Sequence, residues 1–172
     1  MARFSKKLLG DLELMTIDFV SPAGDPQIGD LATPINSSGF SKALINNLPA
    51  YRPGLSAQRR GLEIGMAHGY LLFGPFAMGS HFRNSVHAEL VGVIAAVSLV
   101  VILTLCLSAY SSISVGKPIA GVTVATPPEA LGTQEGWSEF SSGFLIGGIG
   151  GAIFAYGLYE FIQAGLLQSL LS

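Results

Sequence analysis

RRGLEIGMAHGYLLFGPF, residues 59–76, opens on two arginines and turns apolar, yet carries Glu63 and His68 inside the apolar part. A carboxylate or an imidazole in hydrocarbon costs several kcal/mol unless another group pairs with it or coordinates it. Each therefore needs a partner. Successive helical residues turn by about 100°, so positions five apart point roughly 140° away from each other, whereas a shared site needs a spacing of three or four. Glu63 and His68 are thus expected to serve two different sites. An imidazole is a common axial ligand to a metal held in a flat macrocycle, and a carboxylate oxygen suits a hard ion such as magnesium. Gly61, Gly65, Ala67 and Gly69 surround the pair with little bulk, which leaves room for a large flat ring against the backbone. Without further context both residues keep a second reading. His68 also suits a helix-to-helix hydrogen bond, and Glu63 an interfacial ion pair with Arg59 or Arg60.

The chain of 172 residues is 49% hydrophobic and 12% charged, with a mean hydropathy of +0.53. Soluble domains carry about twice that charge, so the expected class is an all-α integral membrane protein. A net charge of −2 gives no footing for nucleic acid. Cys106 has no second cysteine to pair with and reads as a small apolar residue within a span. No nucleophile with a base, and no metal centre for chemistry, is visible, so the chain is not expected to be an enzyme. The polar group His81, Arg83, Asn84, His87 and Glu89 matches no zinc spacing and reads as solvated interface.

Residues 1–56 read as a mostly irregular amino-terminal arm, broken by Pro22, Pro26, Pro34, Pro49 and Pro53. Within it, residues 38–47 suit a short amphipathic helix capped by Ser38 or Ser41, with Phe40, Ala43 and Leu44 on one face. Residues 57–172 form the expected membrane domain, with three transmembrane helices at about 57–78, 88–111 and 137–160. The first is near the minimum for a bilayer core of roughly 30 Å. The second is the clearest, since residues 90–110 hold no charge. Between the second and third, SVGKPIAGVTVATP alternates weakly and suits a short hairpin. The third follows Trp137, an interfacial ring, and sets Gly143, Gly147 and Gly151 four apart, a pattern that admits another helix or a flat cofactor. Residues 161–172 form a short carboxyl-terminal apolar segment, too short to span and suited to lie against a partner. Seven of the nine Lys and Arg residues lie at or before Arg60, ahead of the apolar run of the first span that begins at Gly61. The positive-inside rule then places the amino terminus in the cytoplasm or stroma, and three crossings leave the carboxyl terminus in the lumen. The basic opening of the chain is interrupted by Asp11 and Glu13 before any apolar run of signal-peptide length.

Three motifs in order resemble a known family: INNLPAYRPGLS at residues 45–56, the quoted stretch at 59–76, and EGWSEFSSGFLIGGIGGAIFAYGL at 135–158. Together they resemble the L subunit of photosystem I, subunit XI or PsaL, over most of residues 29–158. The resemblance implies a non-catalytic, multi-pass thylakoid subunit that binds antenna chlorophyll a and carotenoid such as beta-carotene. It implies contacts with the other photosystem I subunits, with lipid and with copies of itself, joining monomers into trimers or tetramers. It also implies Glu63 and His68 as axial ligands to chlorophyll magnesium. No Ser- and Arg-rich transit segment opens the chain, which points to a cyanobacterial or processed form. One loop departs from the family pattern. Many cyanobacterial members read Gly-Pro-Leu-Arg-Asp where this chain has Gly79, Ser80, His81, Phe82, Arg83 and Asn84. In trimeric forms that Asp helps hold calcium at the monomer contact. Asn84 offers only a neutral oxygen, so calcium is not expected to hold this contact.

Two other functions compete with that reading. A small transporter would relay protons through Glu63 and His68, but their opposed directions and the few polar residues on the other spans, Ser98, Thr104, Ser108, Ser141 and Ser142, disfavour a continuous wet path. A pigment-free scaffold predicts that losing either side chain leaves absorbance unchanged.

Overall fold

Four α-helices form among the residues that a computed structural model describes, 20–24, 27, 29–113 and 116–165. Expectations for residues 1–19, for 166–172 and for the side on which the carboxyl terminus emerges lie outside the described residues. Helix α1 is Gly39–Asn47, α2 Ala57–Gly79, α3 Ala88–Ser111 and α4 Gln134–Gln163; a single 3-10 turn, Glu129–Gly132, precedes α4. Each start but one has a side-chain cap. Ser38 accepts from Ser41 N, Ser56 from Arg59 N and Thr133 from Gly136 N, which satisfies amide groups that the first turn leaves free.

Glycine spacing decides how α2 and α4 meet. A methyl built on Gly61, Gly65 or Gly69 would lie 1.9, 2.2 or 1.9 Å from the carbonyl oxygens of Phe140, Phe144 and Gly148. Reciprocally, methyls on Gly143, Gly147 and Gly151 would lie 2.1, 2.0 and 2.1 Å from those of Gln58, Leu62 and Met66. Backbone therefore rests on backbone along three turns of each helix, the approach that small residues at intervals of four allow. Both series rise together, so α2 and α4 run parallel and α3 returns antiparallel between their ends. The glycines of α2 were expected to leave space for a flat ring, and this is corrected: Gly61, Gly65 and Gly69 are buried against α4. Only Ala67 of that set stays exposed.

Helix α3 closes the bundle through small contacts of the same kind. A methyl on Gly92 would meet Ala77 Cβ at 2.6 Å, and one on Gly148 would meet Val100 at 2.5 Å. One apolar cluster gathers Phe73, Ala77, Val93, Ala96, Ala152 and Ala155; a second, nearer the arm, gathers Ala57, Val100, Phe140 and Phe144. Large apolar side chains also face outward from α3 and α4, among them Ile94, Ile102, Leu105, Ile153 and Phe154. Helices α3 and α4 are long and apolar enough to cross a membrane. Helix α2 is not among them, because Arg59, Arg60, Glu63 and His68 share its length with the apolar residues.

The boundaries refine the sequence reading. Helix α4 begins three residues before the expected 137 and continues three past 160, so Phe161, Ile162 and Gln163 belong to it and not to a separate segment. It stops at Gly165, whose φ of +71° suits the left-handed residue that ends many helices. Helix α2 runs through Pro75, which removes one amide donor close to the end of the helix at Gly79.

At the arm end, Ser21–Pro22 pairs antiparallel with Leu31–Ala32, and α1 follows, with Phe40, Ala43 and Leu44 all exposed. The hairpin expected in the α3–α4 loop is corrected: no strand forms among its described residues. A single backbone turn, Gly121 N to Val124 O at 3.0 Å, stands in its place, and Thr123 ties it to the arm. Asn46 Nδ2 donates to Thr123 O at 2.8 Å, and Thr123 Oγ1 donates to Asn36 O at 2.9 Å. Arm and loop thus form one cap over the starts of α2 and α4. Beside it, Trp137 Nε1 donates to Leu131 O at 2.6 Å while its ring meets Tyr110 and Phe140 edge-on or tilted.

Candidate functional site

Arm residues 48–56 fold back over the first turns of α2, and Gly54, with φ of +77°, makes the reversal possible. Two arginines fix this return. Arg60 is only 4% exposed and donates through one nitrogen, Nη1, to Pro49 O at 2.9 Å and to Ala50 O at 3.1 Å. Its Nε is buried without a partner, so Arg60 is bound to the arm less completely than a guanidinium allows.

Arg52 reaches the other way. Its Nη2 lies 2.5 Å from Glu63 Oε1 and 2.6 Å from Oε2, with the two side chains 37% and 28% exposed. The second reading of Glu63, an ion pair with Arg59 or Arg60, holds in kind but not in partner. Both begin the same helix as Glu63, and Arg60 is spent on the arm carbonyls; Arg52 arrives from outside the helix and meets the carboxylate head-on. The only sequence signal for it was the PAYRPG turn, which returns the chain to α2. An ion pair this exposed adds about 1 kcal/mol or less, so its main effect is positional. Each carboxylate oxygen accepts at two lone-pair sites, and one nitrogen leaves at least one site per oxygen free.

Glu63 stands at the edge of a groove of about 670 Å³ along the α2–α4 seam, lined by Met66, Ala67, Tyr70, Gly150 and Phe154. This volume lies within the range of roughly 300–1,000 Å³ common for small-molecule sites. Its wall is nearly all apolar, with small residues at Ala67, Gly150 and Gly151.

His68 does not line that groove. Its ring packs edge-on against Phe144 of α4 with centroids 5.5 Å apart, and Nδ1 lies 2.8 Å from Ile64 O. A carbonyl only accepts, so Nδ1 carries the proton and Nε2 of the neutral ring keeps its lone pair. The residue is exposed on the bundle surface. A backbone carbonyl fixing the far nitrogen of an exposed imidazole is how metal-ligating histidines are oriented.

Five hydroxyls of α3 and α4 are satisfied within the bundle. Ser98, Thr104, Ser141 and Ser142 donate to carbonyls one turn back, and Ser108 donates to Ser141 Oγ at 3.4 Å. Among the described residues no three His, Cys, Asp or Glu side chains come together as a metal cluster.

Comparison with known proteins bears on the whole length of this arrangement. A family model described as Photosystem I reaction centre subunit XI matches residues 19–164. Relatives bearing that name include a protein of Crocosphaera subtropica, 56% identical over 155 residues that cover 90% of this chain and 99% of the relative. One from a Picosynechococcus species is 61% identical over 142 residues, 83% of this chain and 93% of the relative. Another, from Synechococcus elongatus, is 56% identical over 144 residues, 83% of this chain and 87% of the relative. With its parallel glycine-seated helices, its capped arm and this likeness over nearly its full length, the chain belongs to the photosystem I reaction centre subunit XI family, PsaL, and is a non-catalytic subunit of photosystem I.

Proposed function

We propose that this subunit crosses the thylakoid membrane three times, α2 included, and holds antenna chlorophyll a through His68 Nε2 and Glu63. The observation that carries the reading is the Nδ1 contact of His68, which leaves Nε2 available on an outward-facing ring. The donor set fits the pigment. A neutral imidazole and a carboxylate oxygen both suit magnesium, and the small-residue groove beside Glu63 accepts a flat ring edge. Chlorophyll, when bound, supplies the absorption and transfer of excitation. The chain supplies orientation: Ile64 O sets the imidazole plane, Phe144 limits its rotation, and Arg52 fixes the direction of the Glu63 carboxylate. The outward apolar faces take carotenoid, lipid and the neighbouring photosystem subunits. The amino terminus lies on the stromal side, which puts the cap of arm and loop there and the α2–α3 turn in the lumen. The satisfied hydroxyls of α3 and α4 offer no polar path for a transporter.

Pigment counts test this directly. Complexes containing His68→Leu are expected to lose one chlorophyll per copy, read by extraction and red circular dichroism, with this chain still present. Exchanging the charges, Arg52→Glu with Glu63→Arg, keeps an ion pair at the arm but removes the oxygen donor. It is expected to retain the chain and lose a second pigment. An unchanged chlorophyll count in both variants would sink the ligand assignment and leave a scaffold.

The same reading includes association with copies of this chain in neighbouring photosystems. Because Asn84 replaces a carboxylate in the luminal turn, the oligomers are expected to survive a calcium chelator during native size separation. Their dissociation on chelation would show a metal-held contact.

A further inference from the structure

The end of the bundle away from the arm holds a crevice beside the α2–α3 turn, bounded by α4 as well as by the turn that carries Asn84. Arg83, Asn84 and Glu89, from the α2–α3 turn and the first turn of α3, stand with Tyr159 of α4 around a space of about 270 Å³. Phe73 and Met78 also line it, and they reappear with Tyr159 in an adjoining crevice of about 320 Å³ that runs on past Leu158 and Ile162. The first space is polar at its rim; the second is apolar. An amphiphile has the same two-part form, with a head at the bundle end and a chain along the seam.

The charges select the head. Arg52 with Glu63 is the one ion pair among the described residues, so Arg83 and Glu89 do not neutralise each other by contact. An anionic head would meet Glu89, a cationic one would meet Arg83, and a zwitterionic one would have to bring two charges out of water where an uncharged head brings none. An uncharged head bearing several hydroxyls meets donors at Arg83 and Asn84, and acceptors at Glu89, Asn84 and Tyr159. We propose that this crevice binds one membrane lipid with an uncharged sugar head, its acyl chain lying against Phe73, Met78 and Leu158. The inference rests on α2 crossing the membrane as proposed above, but not on pigment binding.

Photolabelling of the intact complex tests it. Three probes carry the same photoreactive acyl chain: monogalactosyl diacylglycerol, phosphatidylglycerol and phosphatidylcholine. The galactolipid is expected to label peptides containing Phe73, Met78 or Tyr159 about ten-fold more than either phospholipid, a difference worth one or two hydrogen bonds. Arg83→Leu and Glu89→Leu are each expected to remove that preference. Met78→Trp, at a position 69% exposed, is expected to block the chain without touching the rim, and serves if a rim variant fails to assemble. Equal labelling by all three lipids, unchanged in the variants, would mean ordinary annular lipid and overturn the site. Preferential labelling by either phospholipid would overturn the uncharged head. If no residue of α2, Phe73 and Met78 included, takes label from any probe, the helix is not in lipid and the three-span reading fails with the site.

Discussion

Gly65→Ala is expected to weaken retention of this subunit by about 3 kcal/mol, and Gly65→Leu to abolish it. A methyl at Gly65 would sit 2.2 Å from Phe144 O, whereas side-chain carbons essentially never approach closer than 3.0 Å. The obstacle is backbone, which cannot swing aside as a side chain does, so α2 and α4 must part by at least about 0.8 Å. All six glycine contacts loosen with it. The control lies on α4 itself: Gly157 has nothing within 4 Å, and Gly157→Ala should be neutral or mildly stabilising through helix propensity, by up to about 1 kcal/mol. Detergent or thermal challenge of the purified complex, followed by the fraction of this chain retained, separates the two. Equal retention of Gly65→Ala and Gly157→Ala would mean that the helices do not meet through these glycines.

Arg60→Met is expected to free the arm while leaving the bundle assembled. The substitution keeps an apolar stem of similar length but leaves Pro49 O and Ala50 O without their donor. Losing hydrogen bonds from a charged group costs about 2–3 kcal/mol. Amides of the turn it secures, Tyr51 and Arg52, both donating to Leu48 O, should then exchange hydrogen roughly 30- to 140-fold faster. Arg59, adjacent but exposed, gives the contrast: Arg59→Met should leave exchange unchanged. Equal protection in both variants would show that the Arg52–Glu63 pair and the Asn46–Thr123 tie hold the arm alone.

The sequence showed helix positions well because length and apolar runs are local. Helix α3 falls at residues 88–111 as read, and α2 within one residue of its expected end. The partner of each glycine was less legible. A spacing of four says that something approaches closely but not what, and at Gly61, Gly65 and Gly69 a helix took the place assigned to a ring. Glu63 shows the same limit. An acid in an apolar stretch announces that it needs a partner, but Arg52 is eleven residues away and arrives only because the chain reverses at Gly54. The hairpin read in SVGKPIAGVTVATP, residues 114–127, failed for a related reason. Its alternation is real, but Thr123 at its middle bonds to Asn36 and Asn46, residues far off in sequence.

The parallel seating of α2 on α4 also sets an order in time. Gln134 follows Gly79 by 55 residues, which a ribosome takes roughly 3–11 s to add at 5–20 residues per second. Throughout that interval α2 has been made, but the carbonyls and glycines that complete its inner face have not. Helix α3 offers it Gly92 against Ala77 and an apolar face, Val93 and Ala96 beside Phe73, but no backbone seat like that of α4. The most polar of the long helices is therefore the one that waits longest for its neighbour, and during biogenesis its seat in the bundle is settled by the arrival of the last helix.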